Sequence, residues 1–227
     1  MAALPTMRTP IERCEEKSLH TQGMLSKFSD VPALVGLETI LAKATNGLLA
    51  KQLELIAKRK ALIVLRIEVA ICDRISDQVV RACLKRAQIE DGEAGGRIAT
   101  TLFPNGSTPI IKPVGSTQVD EMRQLEGRYD NVTSIYSAAI DDKNKVATER
   151  SRYETALGAR KNGIEQVTQA RAARDLAKEE FLDVFAEVAA RIQAAFPRDK
   201  KTQDLFFLKD KAARDEGDEE ESSGEGE

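Results

Sequence analysis

Residues 122–167, MRQLEGRYDNVTSIYSAAIDDKNKVATERSRYETALGARKNGIEQV, decide the fold. Taken in alternating steps of three and four they give Met122, Leu125, Tyr129, Val132, Tyr136, Ala139, Lys143, Val146, Arg150, Tyr153, Leu157, Arg160, Ile164 and Val167. Eleven of these fourteen are apolar, and the residues between them are mostly polar or charged. An a/d stripe held this long predicts a long helix in coiled-coil-like packing. Ser116 or Thr117 can cap its start, and no proline interrupts it before Pro197. The predicted helix therefore spans 118–196. Gly158 and Gly163 are its soft points, since a glycine costs about 1 kcal/mol against alanine inside a helix. Any bend is expected there. Beyond Val167 the stripe runs through Ala170, Ala173 and Ala177 to Phe181, Val184, Phe185, Val188 and Ile192.

An earlier stretch, 30–90, carries a matching pattern. Asp30 and Pro32 form a start signal. Leu34, Leu41, Leu48, Leu55, Leu62 and Val69 then recur every seven residues. A second stripe (Leu49, Leu53, Ile56, Ile63, Ile67, Ile71) widens the apolar arc. A two-helix seam needs only the first stripe, so the wider arc predicts more than one neighbour. Ala61–Leu84 is the most apolar part of the chain, but Arg66, Glu68, Asp73 and Arg74 rule out a membrane span.

The shorter segments complete the expected layout. Residues 1–29 hold a short helix from about Pro10 to His20, with Thr9 as its cap and Gln22-Gly23 as its break. Residues 91–117 form an ordered tip loop. Asn105-Gly106 between Thr101-Leu102-Phe103 and Pro109-Ile110-Ile111 suggests a small hairpin or a compact loop. In residues 197–214, Asp199 can cap a short last helix. Residues 215–227 contain only Asp, Glu, Ser and Gly, and such a segment is expected to be disordered. The predicted fold is all-α: an elongated antiparallel long-helix hairpin, coiled-coil-like, with short N- and C-terminal helices packed at its base. Numbers of paired residues should sum to about 209 if Glu90 faces Val119. Phe28, Phe181, Phe185, Phe196, Phe206 and Phe207 should then gather into that base.

Composition narrows the function classes. Eight of the 37 acidic residues and none of the 34 basic ones lie from Asp215 onward, which leaves the first 214 residues at net +5. That is too mild to name a nucleic-acid or membrane partner. Cys14, Cys72 and Cys83 lack metal-site spacing and read as small buried hydrophobes. Reduced thiols and an N-terminus without a signal-like apolar run point to a cytoplasmic protein. His20 is the only histidine, and Lys17 stands where a Glu-x-x-His ligand motif needs its acid. No phosphate-loop pattern is present. Asp141 and Asp142 read as solvated acids. The expectation is a protein with no enzymatic activity, cofactor or metal.

What remains is a structural or interaction protein that forms homo-oligomers or binds a protein partner. Its candidate contact residues are Leu62 and Val69 on the first seam; Leu102, Phe103, Ile110 and Ile111 at the tip; and Leu205, Phe206, Phe207 and Leu208 near the C-terminus. Lys143, Arg150 and Arg160 occupy seam positions, where a polar residue can set register or partner number. Membrane-surface binding or pore formation through the four tip residues is the alternative. Nucleic-acid binding through Lys58-Arg59-Lys60 or the Arg150–Lys161 cluster is a further one, although no aromatics interleave with those charges.

Overall fold

A computed structural model describes residues 4–209. Among them there is no strand, and the chain is all-α. Helices α1 (Ile11–Lys27), α2 (Leu37–Asp91), α3 (Arg97–Leu102), α4 (Thr108–Ile111), α5 (Ser116–Tyr129), α6 (Ala139–Ala195) and α7 (Lys200–Leu205) follow in order. A single 3-10 turn, Pro32–Leu34, precedes α2. The two long helices, α2 and α6, pack against each other. The chain divides into two compact units, Met1–Leu53 with Ala172–Glu227, and Glu54–Arg171.

The first unit holds the expected phenylalanine base. Phe181 and Phe185 on α6 join Leu34, Leu37, Leu41 and Leu48 in one core, together with Ile11 and Leu25 from α1. Phe28 lies 4.9 Å from Phe206 and 5.7 Å from Phe196, ring centre to ring centre. Phe185 meets Phe207 at 6.4 Å. Polar ties fix the termini onto this core. Asp199 caps α7 by accepting from the Thr202 N–H at 3.0 Å. Thr21 donates to the Phe206 carbonyl at 2.8 Å. His20 donates from Nε2 to the Leu205 carbonyl at 2.9 Å, so the sole histidine is a structural tether. α1 runs through Gln22-Gly23 to Lys27, longer than expected. Residues 210–214 of the expected last helix and the acidic stretch 215–227 lie outside the described residues.

The second unit contains the main departure from the sequence reading. The expected single helix 118–196 is two helices, with turns over 130–138 between α5 and α6. Asp130, Asn131, Val132, Thr133 and Ser134 stand there, a run of weak helix formers that favour turns. The stripe nevertheless keeps its side. Met122, Leu125, Tyr129, Val132, Tyr136, Ala139, Val146 and Tyr153 are all buried. Because α5 is a separate helix that packs Val119, Met122 and Leu125 against α2, the long partner of α2 is α6, and the register moves. Arg152 meets Glu68, Lys58 meets Gln166, and Arg86 meets Asp142, so paired numbers sum to 220–228 rather than to about 209. α6 is helical through both Gly158 and Gly163. A Cβ at Gly163 would come within 2.7 Å of the Leu65 Cδ1, so the glycine lets the two helices approach closely.

The tip is a packed core instead of a hairpin. Ile98, Leu102, Phe103 and Ile110 are buried with Val80, Cys83 and Ala87 of α2. Asp91 accepts from the Ile98 and Ala99 N–H groups at 3.0 and 2.8 Å and so caps α3. Arg128 donates to the Leu102 carbonyl at that helix's other end. Gly115, at φ 72°, supplies the left-handed turn into α5.

Candidate interaction surface

The second unit exposes one continuous apolar face, on α2. A helix turns 100° per residue, so Ile63, Ile67 and Ile71 lie within about 40° of one line. Val64 and Ala70 flank them. Ile63 is 54% exposed, Val64 64%, Ile67 54% and Ile71 43%. The opposite side of the same helix is closed. Leu62, Val69, Cys72, Ser76 and Val80 are buried against the rest of the unit. The widened arc of the sequence thus splits into an inward half with neighbours and an outward half without. An exposed stripe of this size, on the order of a few hundred Å², is what interaction sites present.

Charge frames the stripe on both sides. Arg59 and Arg66 are exposed on one flank, followed on that same flank by the half-buried Asp73 and Asp77. On the other flank Glu68 pairs with Arg152 at 2.9 Å. Asp73 accepts from the Tyr153 hydroxyl at 3.0 Å, and that hydroxyl accepts from the Gly115 N–H at 2.8 Å. Asp77 accepts from the Gln118 amide at 2.8 Å. Burial pushes the Asp77 carboxyl above the usual range. These bonds hold both acids in place, and Asp77 also pairs with the exposed Arg81 one turn on, at 3.4 Å. Beside this flank lies an open cleft of about 800 Å³, lined by Arg66, Asp73, Val114, Tyr153, Arg160 and Ile164 among others.

The residues singled out from the sequence fall in different places. Leu62 and Val69 face inward, Leu62 close to Gly163. Leu102, Phe103 and Ile110 are buried in the tip core, and Ile111 is half-buried against it. In this conformation none of the four is offered to a membrane. Phe206 and Phe207 are buried in the base, Leu208 is half-buried, and Leu205 is 53% exposed. The seam cations find partners within their own unit. Lys143 pairs with Asp130, and Arg150 pairs with Glu126 and Glu154. The Glu126 hydrogen bond raises the Arg150 guanidinium further above its ordinary value. Arg160 opens onto the cleft.

One polar cluster had no linear signature. Asp142, expected in solvent, is fully buried. It accepts from Arg86 Nε at 3.0 Å and from the Tyr136 hydroxyl at 2.6 Å. Its place in the first turn of α6 adds the helix dipole to this stabilisation. Tyr129 is buried beside Cys83. Burial drives the hydroxyls of Tyr129 and Tyr136 and the thiol of Cys83 to higher pKa, so all three stay protonated. Arg86 and Asp142 are far apart in sequence, so only folding reveals the pair. With Asp142 and Tyr129 fully buried, the cluster reads as an internal clamp on the tip. Among the described residues no group of His, Cys, Asp and Glu is arranged to hold a metal ion, and no helix is long and apolar enough to cross a membrane.

Compared with family models, curated proteins and solved structures, the chain matches none of them. The functional reading therefore rests on the side chains themselves.

Proposed function

We propose that this chain is a non-enzymatic interaction protein that associates with a second copy of itself through the outward face of α2. The carrying observation is the exposed row Ile63, Val64, Ile67 and Ile71 on a helix whose opposite face its own chain already covers. Such a row is β-branched and regular, the composition that packs well in a helix–helix seam. In a twofold pair the same stripe serves both partners, so apolar meets apolar without a separate complementary surface. An anionic membrane would be met by a flank of bases alone. Here Asp73 and Asp77 share the flank with Arg59 and Arg66, which suits a partner helix of mixed charge.

The test is the mass of the full chain by sedimentation equilibrium. Wild type should associate reversibly, and Ile67→Asp with Ile71→Asp should be monomeric at the same concentrations with unchanged helicity. Both sites are exposed, so loss of association without loss of helix separates the interface from the fold. A wild-type chain that stays monomeric at high micromolar concentration ends the reading. So does a stripe-dependent co-sedimentation with anionic vesicles by a chain that never self-associates.

A further inference from the structure

The stripe has a polarity that fixes how two copies would align. Arg59, Arg66 and Asp73 are spaced by seven residues and Asp77 follows by four, so all four project from one flank of α2, roughly 80–120° from the Ile67 line. The first two are basic and the last two acidic. Arg59 and Arg66 make no ion pair among the described residues, and the positions three and four residues from each on α2 (Leu55, Ile56, Leu62, Ile63, Val69 and Ala70) are all apolar. In a parallel, in-register pair the twofold axis runs along the helices, so this flank meets the partner's opposite flank, where Ala61, Glu68 and Ile75 stand, and the two arginines are not set against the two aspartates. In an antiparallel pair about a twofold axis, the same flank of each copy meets its counterpart running the other way. Residues whose numbers sum to about 138 then lie level. Arg66 faces Asp73 of the second copy, Arg59 faces Asp77, and Ile67 sits across from Ile71. One register therefore brings these charge pairs and the isoleucines level together, with Arg74 opposite Val64 at each end of the row.

We infer that the occupant of the α2 stripe is a second copy of this chain in antiparallel orientation, set in register by reciprocal pairing of Arg59 and Arg66 with Asp77 and Asp73. The inference rests on the self-association proposed above and adds its direction and register. The opposite charges at the two ends of this one flank meet only in the antiparallel alignment, and they make encounter faster at low salt.

Cysteine cross-linking of the full chain tests it. Cys14, Cys72 and Cys83 are buried and stay silent in the folded protein. Ile67→Cys and Ile71→Cys variants are prepared separately, mixed, and oxidised gently, and the disulfides are identified by mass spectrometry. The expected product is the mixed 67–71 disulfide, in excess of either self-linked species. Dominant 67–67 and 71–71 products would overturn the antiparallel register while leaving self-association standing. A wild-type monomer in the sedimentation experiment would remove both. As a second reading, Arg59→Glu with Arg66→Glu makes the whole flank acidic. It should weaken self-association by about tenfold or more at low salt, an effect that shrinks as salt rises. Unchanged association at low salt counts against the charge pairing.

Discussion

The two compact units are stabilised in different ways. The base in the first unit is an aromatic core: Phe181, Phe185, Phe196, Phe206, Phe207 and Phe28 pack with leucines from three segments, and the polar groups there mostly tie backbone ends. The tip core of the second unit is threaded by a buried ionic cluster, with Asp142 held by Arg86 and Tyr136 and with Tyr129 against Cys83. All three tyrosines of the chain lie in the second unit, and none lies in the base. Burial of apolar area is non-directional, so the aromatic part of the base needs mainly the right volume, while the buried Lys178 in the same unit donates to the Met7 and Thr9 carbonyls. A buried carboxylate is tolerated only when every partner is in place, so the tip needs a defined geometry. Both units expose single apolar side chains, but the second sets four of them, Ile63, Val64, Ile67 and Ile71, in one row.

The largest way to break this comparison is to empty the base. Phe181→Ala removes a fully buried ring and should cost about 3–5 kcal/mol, read as a drop in the urea midpoint. Asp142→Ala attacks the tip and should cost about 2–3 kcal/mol. That is less than the full penalty for breaking a buried pair, because Arg86 is 39% exposed and can turn to solvent. Hydrogen exchange should show each change concentrated in its own unit; equal loosening of both by either variant would mean that the units do not open separately.

A smaller effect comes from alkaline pH. Tyr129 and Tyr136 have folded pKa values above the ordinary 10.0, so the protonated form is favoured by folding. Their contribution is complete below about pH 10 and is lost as pH rises past it, because the unfolded chain releases protons that the folded chain holds. Tyrosinate absorbance should therefore lag at these sites and appear together with loss of structure in the second unit, while the base, without tyrosine, lags behind. Smallest of all should be Ile67→Ser. It faces solvent in the single chain, so the stability of a dilute monomer should move by no more than about 0.5 kcal/mol. A larger loss measured on the monomer would show that the stripe belongs to the fold, not to an interface.

Much of the architecture was legible because heptad periodicity reports burial directly. The stripe from Met122 to Tyr153 is buried as its spacing implies, and the phenylalanines gather at the base. Periodicity does not report helix continuity. Val132 and Tyr136 keep the a/d spacing although turns separate α5 from α6, and with that break the pairing register moved from a sum near 209 to 220–228. The signal was present in Asp130-Asn131 and Thr133-Ser134, but propensity is a weak cue beside a long apolar stripe. The candidate surface was half legible. The second stripe was visible as Ile63, Ile67 and Ile71, but which half of the arc the chain itself would cover was not. Leu62 and Val69, the obvious heptad positions, turned inward, and Lys143 and Arg150 found acids of their own unit.

By itself, the sequence determined an all-α chain with two long amphipathic helices, an aromatic base and an over-wide apolar arc on the first helix. These follow from local spacing, which every residue on a helix shares with its neighbours three and four positions away. Only the tertiary structure decided that α5 folds into the tip, that Asp142 is buried against Arg86, and that Ile63, Val64, Ile67 and Ile71 are left outside. Each of those depends on contacts between residues far apart in the chain, and no spacing rule encodes which of two apolar faces a distant helix will reach first.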